Sequence, residues 1–277
     1  MASPLVSFLL KFRLIKPRYI LRRHRIATAI LGPVQSHSRD HIELNITEKC
    51  NLRCYNCDMS CRQAPSAEDM TVDQVVKFIE ESKAIGKKWK RIRLLGGEPT
   101  LHPQIHEIVA LILAYKSDFA PDCLVQIASN GHGKKVQSIL AEMPEGIEVD
   151  STDKDGNLNH DFSPFNIAPR DCLSYRGTDY RNGCFIMTET CGMGLSRSGY
   201  YQCIVASGLD RVVGYDNGRK SIPAETDELD DLKEVYCQIC GHYRITKPKD
   251  MDKEIQSPFW QETYAYWKKS KPELSKY

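Results

Sequence analysis

The segment HIELNITEKCNLRCYNC, residues 41–57, joins an alternating stretch directly to three closely spaced cysteines. Ile42, Leu44 and Ile46 alternate with polar neighbours, a period of two that predicts a β-strand over 41–47. Cys50, Cys54 and Cys57 follow at once, with gaps of three and two residues. Thiolates are soft ligands that suit iron–sulfur clusters and zinc. So short a loop turns three sulfurs to one face of a cubane and leaves the fourth iron without a protein ligand. The competing reading is a closed structural zinc site, for which Cys61 would supply the fourth thiolate.

Strand and helix signals alternate downstream. Thr71 with Gln74 three residues on has the form of a capping box, opening a helix to about Lys83. RIRLLGGEP (91–99) predicts a strand ending in glycines, and PQIHEIVALILAYK (103–116) has helical periodicity. LVQIASNG (124–131) predicts a strand and turn, 133–142 a short helix, and GIEVDST (146–152) another strand. This alternation implies parallel βαβ units and an α/β fold, either a partial (β/α) barrel or an open sheet. Residues 153–183 are polar and predict a long loop, and little chain then remains for a fifth and sixth barrel strand. The expected divisions are a basic N-terminal extension (1–40), the partial barrel (41–183), a Cys-rich module (184–245) and a C-terminal tail (246–277).

The chain has 277 residues, 41% of them hydrophobic and 27% charged, enough for one sizeable core of ordinary soluble composition. Its eleven cysteines sit in tight groups, a distribution that suits metals better than disulfides. Ser7–Leu10 is too short an apolar run for an export signal, and its basic residues follow it instead of preceding it. No stretch approaches the ~18 apolar residues of a spanning helix. These features predict a cytoplasmic protein with reduced thiols. The net charge of +2 conceals an asymmetry. Eight of the Lys and Arg residues, and no Asp or Glu, fall within residues 1–39, so the rest is net acidic. Such an arm suits anionic lipid, nucleic acid or a phosphorylated substrate; the plainer expectation is a helical extension packed on the body with a solvated basic face.

The Cys50/Cys54/Cys57 spacing directly after a first strand, with Asn56 preceded by the aromatic Tyr55, resembles the radical S-adenosylmethionine (SAM) superfamily. The resemblance covers roughly residues 41–152. It implies a [4Fe–4S] cluster on the three cysteines, with SAM chelating the unique iron and cleaved reductively to a 5′-deoxyadenosyl radical. Gly96, Gly97, Glu98 and Pro99 match the family motif that contacts the SAM amino group; glycines allow close backbone approach, and Glu98 can accept from an ammonium. Ser129 and Asn130 resemble the family's turn after the third strand, and Ser151 stands where a ribose contact is often found. Asn-Gly and Ser-Thr are also common turn chemistry. A further SAM motif near a fifth strand is not recognisable.

A second group comprises Cys184, Cys191, Cys203, Cys237 and Cys240. CGMGLSRSGYYQC (191–203) predicts two short strands about a Ser-Gly turn. The group resembles the SPASM and twitch modules that follow the barrel in some radical SAM enzymes, and it implies one auxiliary [4Fe–4S] cluster. Cys203, Cys237 and Cys240 are three expected ligands; the fourth is Cys191 or Cys184, and a spare thiol would serve as a hydrogen-atom donor. A zinc knuckle on Cys237 and Cys240 is the alternative. Cys61, Cys123 and Cys172 are most simply small buried or surface thiols.

The resemblance to twitch-bearing dehydrogenases implies dehydrogenation or epimerisation of a cyclitol, aminosugar or similar hydroxylated substrate. Its implied partners are a small-molecule substrate and a flavodoxin- or ferredoxin-type electron donor, without nucleic acid. Catalytic candidates are Cys184 and, in the 153–183 loop, Arg170, with His160, Asp171, Tyr175 and Arg176 behind it. Two alternatives remain: peptide maturation, and a non-catalytic metal-binding protein with a basic nucleic-acid or membrane-binding arm.

Overall fold

The computed structural model describes residues 15–151, 165–244 and 254–277. Two short helices, α1 (Ile15–Arg22) and α2 (Arg25–Leu31), precede β1 (His41–Thr47). Then come α3 (Val72–Ala84), β2 (Arg91–Gly96), α4 (Ile105–Asp118), β3 (Leu124–Ser129), α5 (Lys134–Ala141) and β4 (Ile147–Ser151). The second half contributes β5 (Met193–Ser196), β6 (Gly199–Tyr201), α6 (Ile204–Val213), α7 (Asp230–Cys237) and α8 (Pro258–Ser270).

The six strands form one open sheet in the order β4-β3-β2-β1-β5-β6, parallel except for the terminal β5–β6 hairpin. Among the described residues no strand pairs beyond β4; the next strand, β5, pairs instead with β1, from Ile42 opposite Met193 to Asn45 opposite Ser196. β5 and β6, which fall in the expected Cys-rich module, therefore share their sheet with the first half. β1 becomes an interior strand and is buried on both faces.

Pleat alternation divides the two faces. Ile42, Leu44, Ile46, Ile92, Leu94, Val125 and Ile127 join Val75, Phe78, Ile108 and Ile112 of α3 and α4 in the main core. The opposite residues, Glu43, Arg93, Leu95, Ala128 and Asp150, line a cavity. Thr71 caps α3 as its spacing predicts, Thr71 Oγ1 accepting from Gln74 N at 3.2 Å while Gln74 Oε1 accepts from Thr71 N at 3.0 Å. α8 carries buried Trp260, Tyr264 and Trp267, so the C-terminal segment packs against the body through an aromatic face. No helix among the described residues is long and apolar enough to cross a membrane.

α1 and α2 are tied to the body by Arg23. Its side chain is buried, donates to Tyr243 O at 3.1 Å and stacks on the Tyr19 and Tyr243 rings. Arg25 N donates to Gly177 O (3.0 Å), and Asn182 Nδ2 donates to Thr28 Oγ1 (2.7 Å).

Candidate active site

Cys50, Cys54 and Cys57 lie on the loop after β1 and line the cavity together with Gly96, Gly97, Ser129 and Asn130. The loop is held from several sides. Asn56 and Ser60 both adopt a φ of 55°, a conformation other contacts must enforce. Ser60 Oγ lies 2.9 Å from Tyr264 Oη, and Arg211 of α6 donates to Met59 O (2.9 Å) and Ala64 O (2.6 Å). Arg211 also pairs with Glu48 at 3.1 Å. The C-terminal half thus fixes the cysteine loop of the N-terminal half.

Gly96 and Gly97 serve this packing before any ligand. A Cβ on Gly97 would collide with the Lys49 carbonyl and sit 2.9 Å from Cys50 Cβ; one on Gly96 would collide with Thr47 O. Their bareness lets β2 end against the backbone that launches the cysteines, a different reason from close approach to a ligand. Glu98 and Pro99 do not line the cavity. Glu98 has no exposed surface, and its carboxylate accepts from Thr100 Oγ1 (2.8 Å), Ser129 Oγ (2.9 Å) and Asn130 N (2.8 Å). These bonds hold the turn after β3. From that turn Asn130 Nδ2 donates to Asn51 Oδ1 at 2.8 Å and approaches Cys50 Sγ at 3.9 Å. Ser151 does not line the cavity. It is exposed at the end of β4, and its neighbour Asp150 points into the cavity.

The cavity, about 270 Å³, has a charged floor. Arg93 donates to Glu43 at 3.2 Å on one side and to Asp150 on the other. Burial pushes the Glu43 carboxyl above its ordinary value, with Arg93 opposing the shift. Cys191 lines the same cavity beside Glu43, and burial together with that carboxylate raises its thiol. Cys61 also lines it; hydrogen bonding to Cys50 and Cys57, then burial, push its thiol well up. None of Glu43, Arg93 or Asp150 was singled out from sequence. For Glu43 and Arg93 the available signal was a charged side chain inside a strand that is interior to the sheet; Asp150, on the edge strand β4, offered none.

Cys184, Cys203, Cys237 and Cys240 line a second, smaller cavity, each side chain buried. Burial raises all four thiols, and neighbouring cysteines of the set add to the rise at Cys203, Cys237 and Cys240. Cys184, expected either as a ligand or as the catalytic thiol, lines the same cavity as the other three, whereas Cys191 lines the first cavity, close enough to Cys203 to feel its charge. Ile186 and Val205 line both cavities, and His242 of the second lies 3.1 Å from Asp58 of the first. The two sites share a wall.

Arg170 is not at either cavity. It is exposed on a short 3₁₀ turn, with its guanidinium 5.3 Å from the Phe259 ring centre and its N–H donated to Gln238 O. A loop of mixed apolar and charged composition packs equally well against a helix as against a pocket, and here it packs against α8. Asp171 accepts from Phe259 N, Tyr175 packs on Tyr243, and Arg176 is exposed. His160 lies outside the described residues. Cys123 and Cys172 donate to nearby carbonyls, as structural thiols do.

The donor set fits iron–sulfur clusters. In a cubane each thiolate ligates a different iron, so sulfurs need to face a common volume and not a common point. Among the described residues no three His, Cys, Asp or Glu side chains are arranged to hold a single metal ion. Cys50, Cys54 and Cys57 would hold one cluster, with Leu52 N donating to Cys50 Sγ at 3.4 Å.

Comparison with known proteins agrees with this geometry. Residues 44–150 match the Radical SAM superfamily. The GTP 3′,8-cyclase of Campylobacter fetus subsp. fetus is 30% identical over 112 residues, covering 38% of this chain and 33% of that enzyme. A probable GTP 3′,8-cyclase of Methanococcus maripaludis (strain C6) is 33% identical over 88 residues, 32% of this chain and 27% of that protein. The matched part is thus about a third of the length of these curated relatives. Among solved structures, BtrN in complex with AdoMet and 2-DOIA aligns over 80% of this chain and 100% of its own, at 12% identity and a TM-score of 0.46. Residues 44–150 constitute a radical SAM domain.

Proposed function

We propose that this chain is a radical SAM enzyme acting on a hydroxylated, amine-bearing small molecule, by dehydrogenation or epimerisation at a carbinol carbon. The observation that carries the reading is the convergence of Cys50, Cys54, Cys57, Gly97 and Asn130 on one cavity whose far wall is the Glu43–Arg93–Asp150 floor. A bound cluster and SAM would supply an adenosyl radical that removes one hydrogen atom from the substrate.

The chain's own residues do the rest. Among the described residues that line the cavity, Asp58, Glu43 and Asp150 outnumber Arg93, the one basic side chain there, and Arg93 is already paired on both sides. That balance favours a cationic amine and opposes a polyphosphate, which would need several unpaired cations. A nucleoside triphosphate, suggested by the names of the curated relatives, is disfavoured for that reason. Glu43 is the buried carboxylate suited to take the hydroxyl proton as the substrate radical loses its electron to an acceptor. Cys184, Cys203, Cys237 and Cys240 would hold that acceptor, an auxiliary cluster, behind the shared wall of Ile186 and Val205. Cys191 supports the epimerase branch. Its thiol would return a hydrogen atom to the carbon, and the resulting sulfur radical would then take up one electron and one proton.

The test is anaerobic reconstitution, metal and sulfide analysis, and SAM cleavage after reduction, with Cys61→Ala alongside. Cleavage retained in Cys61→Ala supports the enzyme. Stoichiometric zinc that is lost with Cys61, and no cleavage, would identify a structural metal site instead. Incubation with amino-cyclitols deuterated at each carbinol carbon then separates the branches. A ketone product marks dehydrogenation, and solvent hydrogen at an inverted carbon that depends on Cys191 marks epimerisation.

A further inference from the structure

Leu21, Ile26, Ile30 and Leu31 are 66%, 67%, 75% and 63% exposed. Scattered exposed aliphatics are ordinary, but four large ones within eleven residues of a helical pair, all lining one shallow surface depression, form a patch. The pair is not loosely attached. Buried Arg23 and Thr28, the His24–Thr178 bridge and the Arg25–Gly177 hydrogen bond fix its inner face to the body. The outer face is therefore presented in a set orientation.

The charge beside this patch is positive. Arg25 at the start of α2 lines a second shallow depression with Arg170 and Arg176, all three exposed. Arg18 is exposed one turn before Leu21. The nearby acids are largely engaged. Glu234 contacts Arg25 at 3.7 Å and Arg181 at 3.9 Å, and Asp171 accepts from Phe259 N at 3.0 Å. Residues 1–39 as a whole contain no acidic residue. An apolar helical face bordered by exposed arginines matches the boundary of a bilayer, where acyl chains take the aliphatics and headgroup phosphates take the guanidiniums.

We propose that α1, α2 and the Arg25/Arg170/Arg176 cluster dock the protein onto an anionic membrane surface. The aliphatics contribute the apolar burial, and the arginines contribute selectivity for negative lipid. Neither needs the radical chemistry, so this docking stands or falls apart from the enzymatic reading.

The experiment is co-sedimentation of the full chain with vesicles of phosphatidylcholine alone, or with about one-third phosphatidylglycerol. The expected result is binding to the anionic vesicles at least ~10-fold tighter than to the neutral ones, weakening as salt is raised. Ile26→Asp/Ile30→Asp should lower that affinity by at least ~10-fold at unchanged circular dichroism. Arg25→Glu/Arg176→Glu should remove the preference for anionic lipid. Equal binding to both vesicles, or binding indifferent to the isoleucine pair, overturns the proposal. So does a stable dimer in sedimentation velocity that Ile26→Asp/Ile30→Asp dissociates, because a second copy would then own the face. Arginine-dependent binding of an oligonucleotide without any binding to vesicles overturns it as well.

Discussion

Glu98 accepts the backbone N–H of Asn130 at 2.8 Å, tying the end of β2 to the turn after β3 behind the cavity. The same carboxylate accepts from Ser129 Oγ and Thr100 Oγ1. Replacing it with alanine leaves those donors unpaired in a place without solvent. Glu98→Ala should lose about 3 kcal/mol in denaturant unfolding, and SAM affinity should fall because Asn130 is released. Glu98→Gln, which keeps one acceptor, should cost less. An unchanged unfolding midpoint in Glu98→Ala would contradict the positioning role.

Gly97 tests the packing of the cysteine loop. In Gly97→Ala the new methyl meets the Lys49 carbonyl and Cys50 Cβ. Either β2 or the cysteine loop must move, so reconstituted iron should drop toward about half of the wild-type content, as the loss of one of two cubanes would give. Gly208→Ala is the control. Its Cβ would meet Met59 and Asp58 at ordinary distances of 3.4–3.5 Å within α6, and iron should be retained.

Cys184 and Cys191 should separate cleanly in iron analysis. With two cubanes the reconstituted protein holds about eight irons. Cys184→Ala should reduce this to about half, whereas Cys191→Ala should keep the full complement. The opposite pattern would return Cys191 to the auxiliary ligand set.

His37 gives a pH signature. Burial, reinforced by Lys233 and Arg39, pushes its imidazole down from 6.5 to about 3. The unfolded chain binds this proton at higher pH than the folded chain does. The contribution of neutral His37 is therefore complete above pH 6.5 and is lost as the pH falls toward about 3. The slope from this one group is about 1.4 kcal/mol per pH unit within that window. His37→Leu should flatten the dependence across it, measured by denaturant unfolding at successive pH values. An unaltered slope would mean that His37 is not the group responsible.

The first half of the chain was legible because its signals are local. HIELNIT alternates, Thr71 and Gln74 are spaced for mutual capping, and strands and helices follow in turn. The second half offered weaker signals. Every residue of α6 is buried, so it has no polar face to mark it as a helix. β5 is four residues long, and its partner β1 lies far back in the sequence. The site divides in the same way. Cysteine spacing identifies which thiols lie near one another along the chain, but only the fold assigns Cys184 to one cavity and Cys191 to the other. The Glu43–Arg93–Asp150 floor required both strand register and knowledge of which sheet face the helices leave uncovered.

The pairing of β5 with β1 bears on how the protein is made. While the ribosome is still translating the middle of the chain, one edge of β1 has no hydrogen-bonding neighbour, and it stays open until Met193–Ser196 emerges. An open edge beside Ile42 and Leu44 invites association with other nascent chains. Premature termination before that hairpin should therefore yield aggregates, and slow growth at low temperature or chaperone supply should raise the soluble yield more than any change to the C-terminal helix.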